Sequence, residues 1–249
     1  MCTVTWQIDA DGYELLCNRD ERKSRRPAAG PRVRLHRGVP VLAPEDGQAG
    51  GAWIAVNSAG ATLCLLNGHV SALVRSAGVR SRGMLVMDLA AADDAASELA
   101  RTDVRQFAPF TLLLLTRREE TVFLWDGARL TGAAHSGPRL LTSSSLDQRQ
   151  AELLRTRQFA TSAAGIRERL QFHASHSGPD RAFTPCMHRT DAETVSFSII
   201  RVSARQAEFG YSPAALCQGA PLEWTNMQFA LRESAHARPL LARAVDLRV

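Results

Sequence analysis

Residues 2–8, Cys-Thr-Val-Thr-Trp-Gln-Ile, alternate strictly between two sides, which leaves this segment little choice of conformation. Cys2, Val4, Trp6 and Ile8 share one face and Thr3, Thr5 and Gln7 the other, so a strand with one buried side is predicted. Asp9-Ala10-Asp11-Gly12 is a turn signal, and Tyr13 to Cys17 reads as the return strand. A four-residue loop pairs Ile8 with Tyr13. The same register sets Trp6 opposite Leu15, Val4 opposite Cys17 and Cys2 opposite Arg19. A slip of one residue would oppose the apolar face to Glu14 and Asn18, which disfavours it.

That register carries a chemical expectation. Aminopeptidases remove an initiating methionine readily when a small residue follows, as Cys2 does here. Loss of Met1 would place a thiol and an α-amine on one residue, titrating near ~8.5 and ~8 respectively. Such an amine can serve as the base for its own thiol, the N-terminal-nucleophile arrangement. A guanidinium opposite the thiol would lower the thiol pKa and could hold a substrate carboxylate or amide oxygen. Asp20 and Glu21, at the strand end, are placed to orient Arg19 or to accept a hydrogen bond from the amine. A plain edge hairpin with an ordinary cysteine fits the same spacing.

At these residues the chain resembles the NRDE family, also called the Transport and Golgi organization two family. The resemblance rests first on Met1-Cys2 and Asn18-Arg19-Asp20-Glu21. It continues through Gly50-Gly51-Ala52-Trp53, Asn57, Gly60, Leu66-Asn67 and Ser81-Arg82-Gly83 to Ala108-Pro109-Phe110 and Leu141-Thr142-Ser143-Ser144-Ser145. It implies an α+β fold like that of N-terminal-nucleophile (Ntn) hydrolases, a four-layer αββα sandwich with two antiparallel sheets face to face. The hydrolases nearest in pattern are choloylglycine hydrolase and penicillin V acylase, which cleave amides with an N-terminal cysteine.

The resemblance also implies roles. Cys2 matches the nucleophile, Arg19 the arginine of the second strand, and Asn67 an oxyanion donor at the end of a Trp53–Asn67 hairpin. Two positions depart from the hydrolase pattern. Arg22 stands where those enzymes carry an aspartate, leaving Asp20 as the nearest acid. Ser143 stands where they carry an oxyanion-hole asparagine; a serine still donates, with shorter reach. What is known of the NRDE family also points to haem trafficking and to lipid or acyl-CoA metabolism.

A chain of 249 residues can bury a sizeable core as one domain, here residues 1–249. No basic stretch followed by an apolar one opens the chain, and the longest apolar runs, such as Leu112–Leu115, are far too short to span a bilayer. A cytoplasmic protein with no membrane span is expected. The five cysteines are scattered without a Cys-x-x-Cys pair, so reduced thiols are expected, with Cys17 and Cys64 in the core. Net charge is +5, almost all the base is arginine, and Lys23 is the only lysine. With abundant alanine this resembles the codon bias of a GC-rich bacterial genome. Acidic residues are interspersed and aromatics are sparse beside Arg22–Arg26, so no nucleic-acid partner is expected.

Residues 22–50, rich in Arg, Pro and Gly, read as a long loop over the nucleophile. A second hairpin is expected over Trp53–Val56 and Ala61–Leu66, and a helix from Asp93 to Ala100. Strands follow over Phe110–Thr116 and Thr121–Trp125, then helices from Ser145 to about Phe159 and from Gly165 to His173. Thr194–Val202 and Gln206–Tyr211 read as the last hairpin. His173, His176, Cys186 and His188 are metal-binding types whose spacing suits zinc only loosely; they read as a structural loop, and no metal site is expected. His69 reads as a surface turn residue. No Gly-x-Ser-x-Gly elbow surrounds Ser143–Ser145.

The expected function is that of an N-terminal-cysteine amidohydrolase, an Ntn-type hydrolase of C–N bonds in a small amide or acyl substrate. Cys2, Arg19, Asp20 and Asn67 would be its catalytic set, with Asn18 and Ser143 contacting substrate and no cofactor needed. The alternative is a non-catalytic carrier that holds haem or an acyl-CoA in the same cleft.

Overall fold

The computed structural model describes residues 2–68, 80–162, 165–229 and 245–247. Two antiparallel sheets and four helices build it. In chain order the strands are β1 (Cys2–Ile8), β2 (Tyr13–Arg22), β3 (Ala29–His36), β4 (Val39–Glu45), β5 (Ile54–Asn57), β6 (Thr62–Asn67), β7 (Phe110–Leu115), β8 (Glu120–Trp125), β9 (Leu130–Ala134), β10 (Leu140–Ser143), β11 (Ala192–Val202), β12 (Gln206–Ser212), β13 (Glu223–Gln228) and β14 (Val245–Leu247). The helices are α1 (Arg82–Ala90), α2 (Ala95–Arg101), α3 (Gln148–Ser162) and α4 (Ile166–His173). One sheet runs β10-β1-β2-β11-β12-β13 and the other β14-β9-β8-β7-β6-β5-β4-β3.

The first hairpin has the register its alternation predicts: Ile8 faces Tyr13, Trp6 faces Leu15, Val4 faces Cys17 and Cys2 faces Arg19. Cys2, Val4, Trp6, Leu15 and Cys17 then point into a core shared with Ile54, Val56, Cys64, Leu66, Leu113 and Leu115 of the other sheet. Cys17 and Cys64 are core thiols, as expected.

The opposite face of β1 is not open to water. Thr3 and Thr5 are fully buried. Their hydroxyls are met by helical side chains: Arg155 Nη1 of α3 donates to Thr3 Oγ1 at 2.8 Å, and His173 Nε2 of α4 lies 2.9 Å from Thr5 Oγ1. Threonine suits this place because its methyl packs while its hydroxyl finds a partner. On that same side Leu16, Phe197 and Ile199 pack against Ile166 and Leu170 of α4. Across the molecule, α1 and α2 cover the second sheet through Leu85, Val86, Leu89 and Leu99.

Residues 22–50 are not a loop. They contain the β3–β4 hairpin, closed by Arg37 at φ 49° and Gly38 at φ 81°. Positive φ at both central positions is the turn that matches strand twist, but it normally advertises itself as Asn-Gly or Asp-Gly. Here a turn arginine and an Arg- and Pro-containing edge strand concealed it. Nor is the β11–β12 hairpin the last, since β13 adds an outer strand to β12. Among the described residues, no helix is long and apolar enough to cross a membrane.

Candidate functional site

The ends of β1, β2 and β6 meet the β4–β5 connection and the start of α1 around a cleft of about 330 Å³. Cys2, Arg19, Asp20 and Asn67 all line it, joined by Asp46, Trp53 and Arg82. A hollow of about 400 Å³ near the Asp9–Gly12 turn contains none of these residues.

Cys2 sits between two neighbours, Arg19 on β2 and Ser143 on β10. Its backbone nitrogen donates to Ser143 Oγ at 3.0 Å. Its thiol is buried, and a hydrogen bond with Cys17 together with that burial pushes its pKa well above the ordinary thiol value. Arg19 does not offset this. Its Nη2 donates to Asp46 Oδ2 at 2.5 Å, and its guanidinium lies 4.1 Å over the Trp53 ring. The expectation that Arg19 lowers the thiol pKa therefore fails, because the charge is committed to a carboxylate.

Asp46 also receives Arg25, through Nε to Oδ2 at 2.8 Å and Nη2 to Oδ1 at 2.8 Å. The backbone N–H groups of Gln48 and Ala49 add 3.1 and 2.7 Å bonds to Oδ1. Burial alone would raise its pKa, but the bonds from Arg25 and Ala49 and the charge of Arg19 hold it below the usual carboxylate range. The acid that orients Arg19 is thus Asp46, and not Asp20. Sequence reading missed Asp46 because it lay in the supposed loop. Arg22, at the position where hydrolases carry their aspartate, is exposed.

Asp20 is held from the other side. Thr194 Oγ1 donates to its Oδ1 at 2.6 Å, and Arg155 Nη2 stands 3.8 Å from Oδ2. Burial raises its pKa, with Arg155 pulling the other way. Arg155 itself is almost wholly buried and also donates to Thr142 Oγ1 at 2.5 Å and to the Phe183 carbonyl at 3.1 Å.

Two glycines let the cleft walls close. A Cβ on Gly51 would lie 2.3 Å from the Gly83 carbonyl carbon, and one on Gly83 would lie 3.0 Å from the Ala52 nitrogen. Bare backbone is needed where the Gly50–Trp53 segment crosses the start of α1, and Ala52 N–H bonds Gly83 O there at 3.1 Å. That crossing brings Arg82 into the cleft, where its Nη1 donates to the Pro109 carbonyl at 2.7 Å. Among the described residues, Arg82 has no carboxylate at ion-pair distance, and the Asn67 side chain has no hydrogen-bond partner.

Comparison with known proteins fits this arrangement. The family model described as Transport and Golgi organisation 2 matches residues 1–168. The chain belongs to that family. No curated protein matches it. Among solved structures it is similar to a Caenorhabditis elegans N-acylethanolamine-hydrolyzing acid amidase ortholog, with a TM-score of 0.56, 9% identity, and coverage of 80% of this chain and 92% of that one. It is similar also to penicillin V acylase from Agrobacterium tumefaciens, with a TM-score of 0.53, 12% identity, and coverage of 91% and 86%. At such identities the likeness is one of fold, the Ntn-hydrolase fold.

One predicted site residue of this family member lies elsewhere. Asn18 is fully buried on the helix-facing side of β2, where its Nδ2 donates to the carbonyls of His173 and Pro185, each at 2.8 Å. Strand alternation explains this correction: if Arg19 faces the cleft, Asn18 faces away. Ser143 is buried behind Cys2 as the acceptor of its N–H. His69 lies outside the described residues.

Proposed function

We propose that this protein is an N-terminal-cysteine hydrolase that opens the C–N bond of a small amide. The observation that carries the reading is the placement of Cys2. Its nitrogen bonds Ser143, and Cys2 lines one cleft with Asn67, Arg19, Asp20 and Arg82. Two facing sheets with helices outside them fit the four-layer αββα sandwich of such enzymes.

In the untrimmed chain that nitrogen is an amide and the thiol is held protonated. Removal of Met1 would convert the amide into an amine with a lone pair while keeping the hydrogen bond to Ser143. The amine would take the thiol proton, and the thiolate sulfur would add to the substrate carbonyl carbon. The Asn67 amide would donate to the resulting oxyanion. Collapse would expel the leaving amine, which carries off the proton held by the α-amine. The thioester left on Cys2 is then cleaved by water activated by the same amine. Arg82, with no carboxylate at ion-pair distance among the described residues, would meet an anionic part of the substrate, and Arg19, held by Asp46 and Trp53, would shape the wall.

The test is intact mass before and after a thiol-directed acylating probe, with the modified peptide mapped, followed by an amide screen of wild type and Cys2→Ala. Loss of Met1, selective labelling of Cys2 and turnover lost in a folded Cys2→Ala protein are expected. Retained Met1, or full activity of Cys2→Ala, would overturn the mechanism.

One observation favours a second reading. Arg19, Arg25, Arg80 and Arg82 all line the cleft, and although the first three are paired with Asp46 or Asp88, Arg82 has no carboxylate at ion-pair distance among the described residues. A carrier of an anionic ligand such as an acyl-CoA or haem would use that charge without chemistry at Cys2, and its saturable binding would survive Cys2→Ala. A cytoplasmic setting fits either reading.

A further inference from the structure

Far along the chain from the cleft residues, four soft ligand groups converge. His176, Cys186 and His188 all lie in the connection from α4 to β11, the last two flanking Met187, and Cys217 lies on the short turn Leu216–Gln218 after β12. One ligand atom from each lies within 4.8 Å of all the others. His188 Nε2 stands 3.6 Å from Cys186 Sγ and 3.4 Å from Cys217 Sγ. The rings of His176 and His188 lie 4.9 Å apart, centroid to centroid. We propose that His176, Cys186, His188 and Cys217 form a tetrahedral site for zinc, a closed structural centre that none of the comparisons assigns.

The distances fit the ion. Zn–S of about 2.3 Å and Zn–N of about 2.0–2.1 Å at tetrahedral angles put S···N edges near 3.6 Å. The two measured S···N separations already have this length. A single imidazole lone pair can accept only one S–H, so two sulfurs at one nitrogen are poorly explained by hydrogen bonding alone. The rings are also set for metal binding. His176 Nδ1 lies 3.0 Å from the Cys186 carbonyl, which can only accept, so the proton sits on Nδ1 and Nε2 keeps its lone pair. His188 Nδ1 lies 3.7 Å from Glu193 Oε2, leaving Nε2 toward the sulfurs. Such partners on the far ring nitrogen fix the tautomer and aim of zinc-bound histidines. Two thiolates neutralise the dication, and sulfur donors select zinc over magnesium or calcium. Cys217 is exposed, giving the ion a route in.

The sequence hid the fourth ligand. His173, the nearest histidine in sequence, points instead to Thr5, while Cys217 comes from another element. The centre would fasten two connections together, α4 to β11 and β12 to β13. One of them leads, through the His188–Glu193 bridge and the paired Met187 and Thr194, to the hydroxyl that holds Asp20.

The full-length protein, purified with zinc in the medium, should carry about one zinc per chain by elemental analysis. Replacement by cobalt should give the visible bands of a tetrahedral dithiolate centre. Cys2→Ala should keep the metal, whereas Cys217→Ser, exposed and so least disruptive to folding, and His188→Ala should each lose at least about ten-fold in zinc affinity. Chelation should lower Tm. Protein that takes up no zinc with all thiols free, that links Cys186 to Cys217 as a disulfide, or whose cobalt spectrum survives Cys217→Ser would overturn the proposal.

Discussion

Asp46 carries two guanidinium groups, and that makes it the residue on which the cleft wall most depends. The side chains of Arg19 and Asp46 are only 7% and 9% exposed, so their pairing is made largely away from water. A buried pair is not a large source of net stability, but breaking it from one side strands the other charge, typically at a cost of about 3–5 kcal/mol. Asp46→Asn keeps the shape and removes the charge. Because Arg25 retains Glu21 at 3.5 Å and is partly exposed, the expected loss is nearer ~3 kcal/mol. Urea denaturation of wild type and Asp46→Asn measures it. A change within about 0.5 kcal/mol, the range of ordinary surface substitutions, would mean that Glu21 suffices to hold Arg19.

At the scale of elements, the cleft exists because two connections cross with no side chain between them. Gly51→Ala places a methyl where the Gly83 backbone already is, 2.3 Å from its carbonyl carbon, and backbone cannot step aside as a flexible side chain can. Overpacking of this kind costs about 1–3 kcal/mol. Each kcal/mol lowers Tm by roughly 2–4 °C in a chain this long. Gly137→Ala, whose new methyl would meet only the His135 ring at 3.6 Å, is the control and should leave Tm nearly unchanged. Equal melting of the two variants would show that the crossing has room. The same elements show what a sequence discloses. The β1–β2 hairpin was legible because three apolar pairs and a turn signal agree on one register, and with it came the placement of Cys2 beside Arg19. The β3–β4 hairpin was not: its turn uses Arg37 where asparagine is usual, and Leu35 points its apolar side chain to solvent. With that hairpin went the position of Asp46. Asn18 was recoverable from its parity with Arg19 inside the strand, since successive residues point to opposite faces, whereas Asp20, of the same parity, reaches the cleft nearer the strand end. Cys217 was not recoverable, because only tertiary packing brings it to His188.

For the molecule as a whole, acid stability turns on a histidine far from any solvent. His173 is fully buried, set edge-on against Phe172 and Phe197, with Nε2 at 2.9 Å from Thr5 Oγ1. Burial, reinforced by the charges of Arg169 and Arg155, lowers its pKa from 6.5 to about 3. The unfolded chain therefore binds a proton at this residue between those two values while the folded chain does not. Stability conferred by neutral His173 is complete above pH 6.5 and drains away as the pH falls toward 3. The slope from this one group approaches ~1.4 kcal/mol per pH unit in the middle of the window. Below about pH 4 the lowered carboxylates, Asp46 among them, begin to be protonated and add their own loss. Urea midpoints measured from pH 7 to pH 4 separate the two contributions. His173→Gln, which keeps a polar atom for Thr5 but cannot titrate, should flatten the upper part of the profile whatever its absolute stability. An unchanged slope in that variant would show that His173 takes up its proton in the folded state, through a local opening between α4 and the sheet.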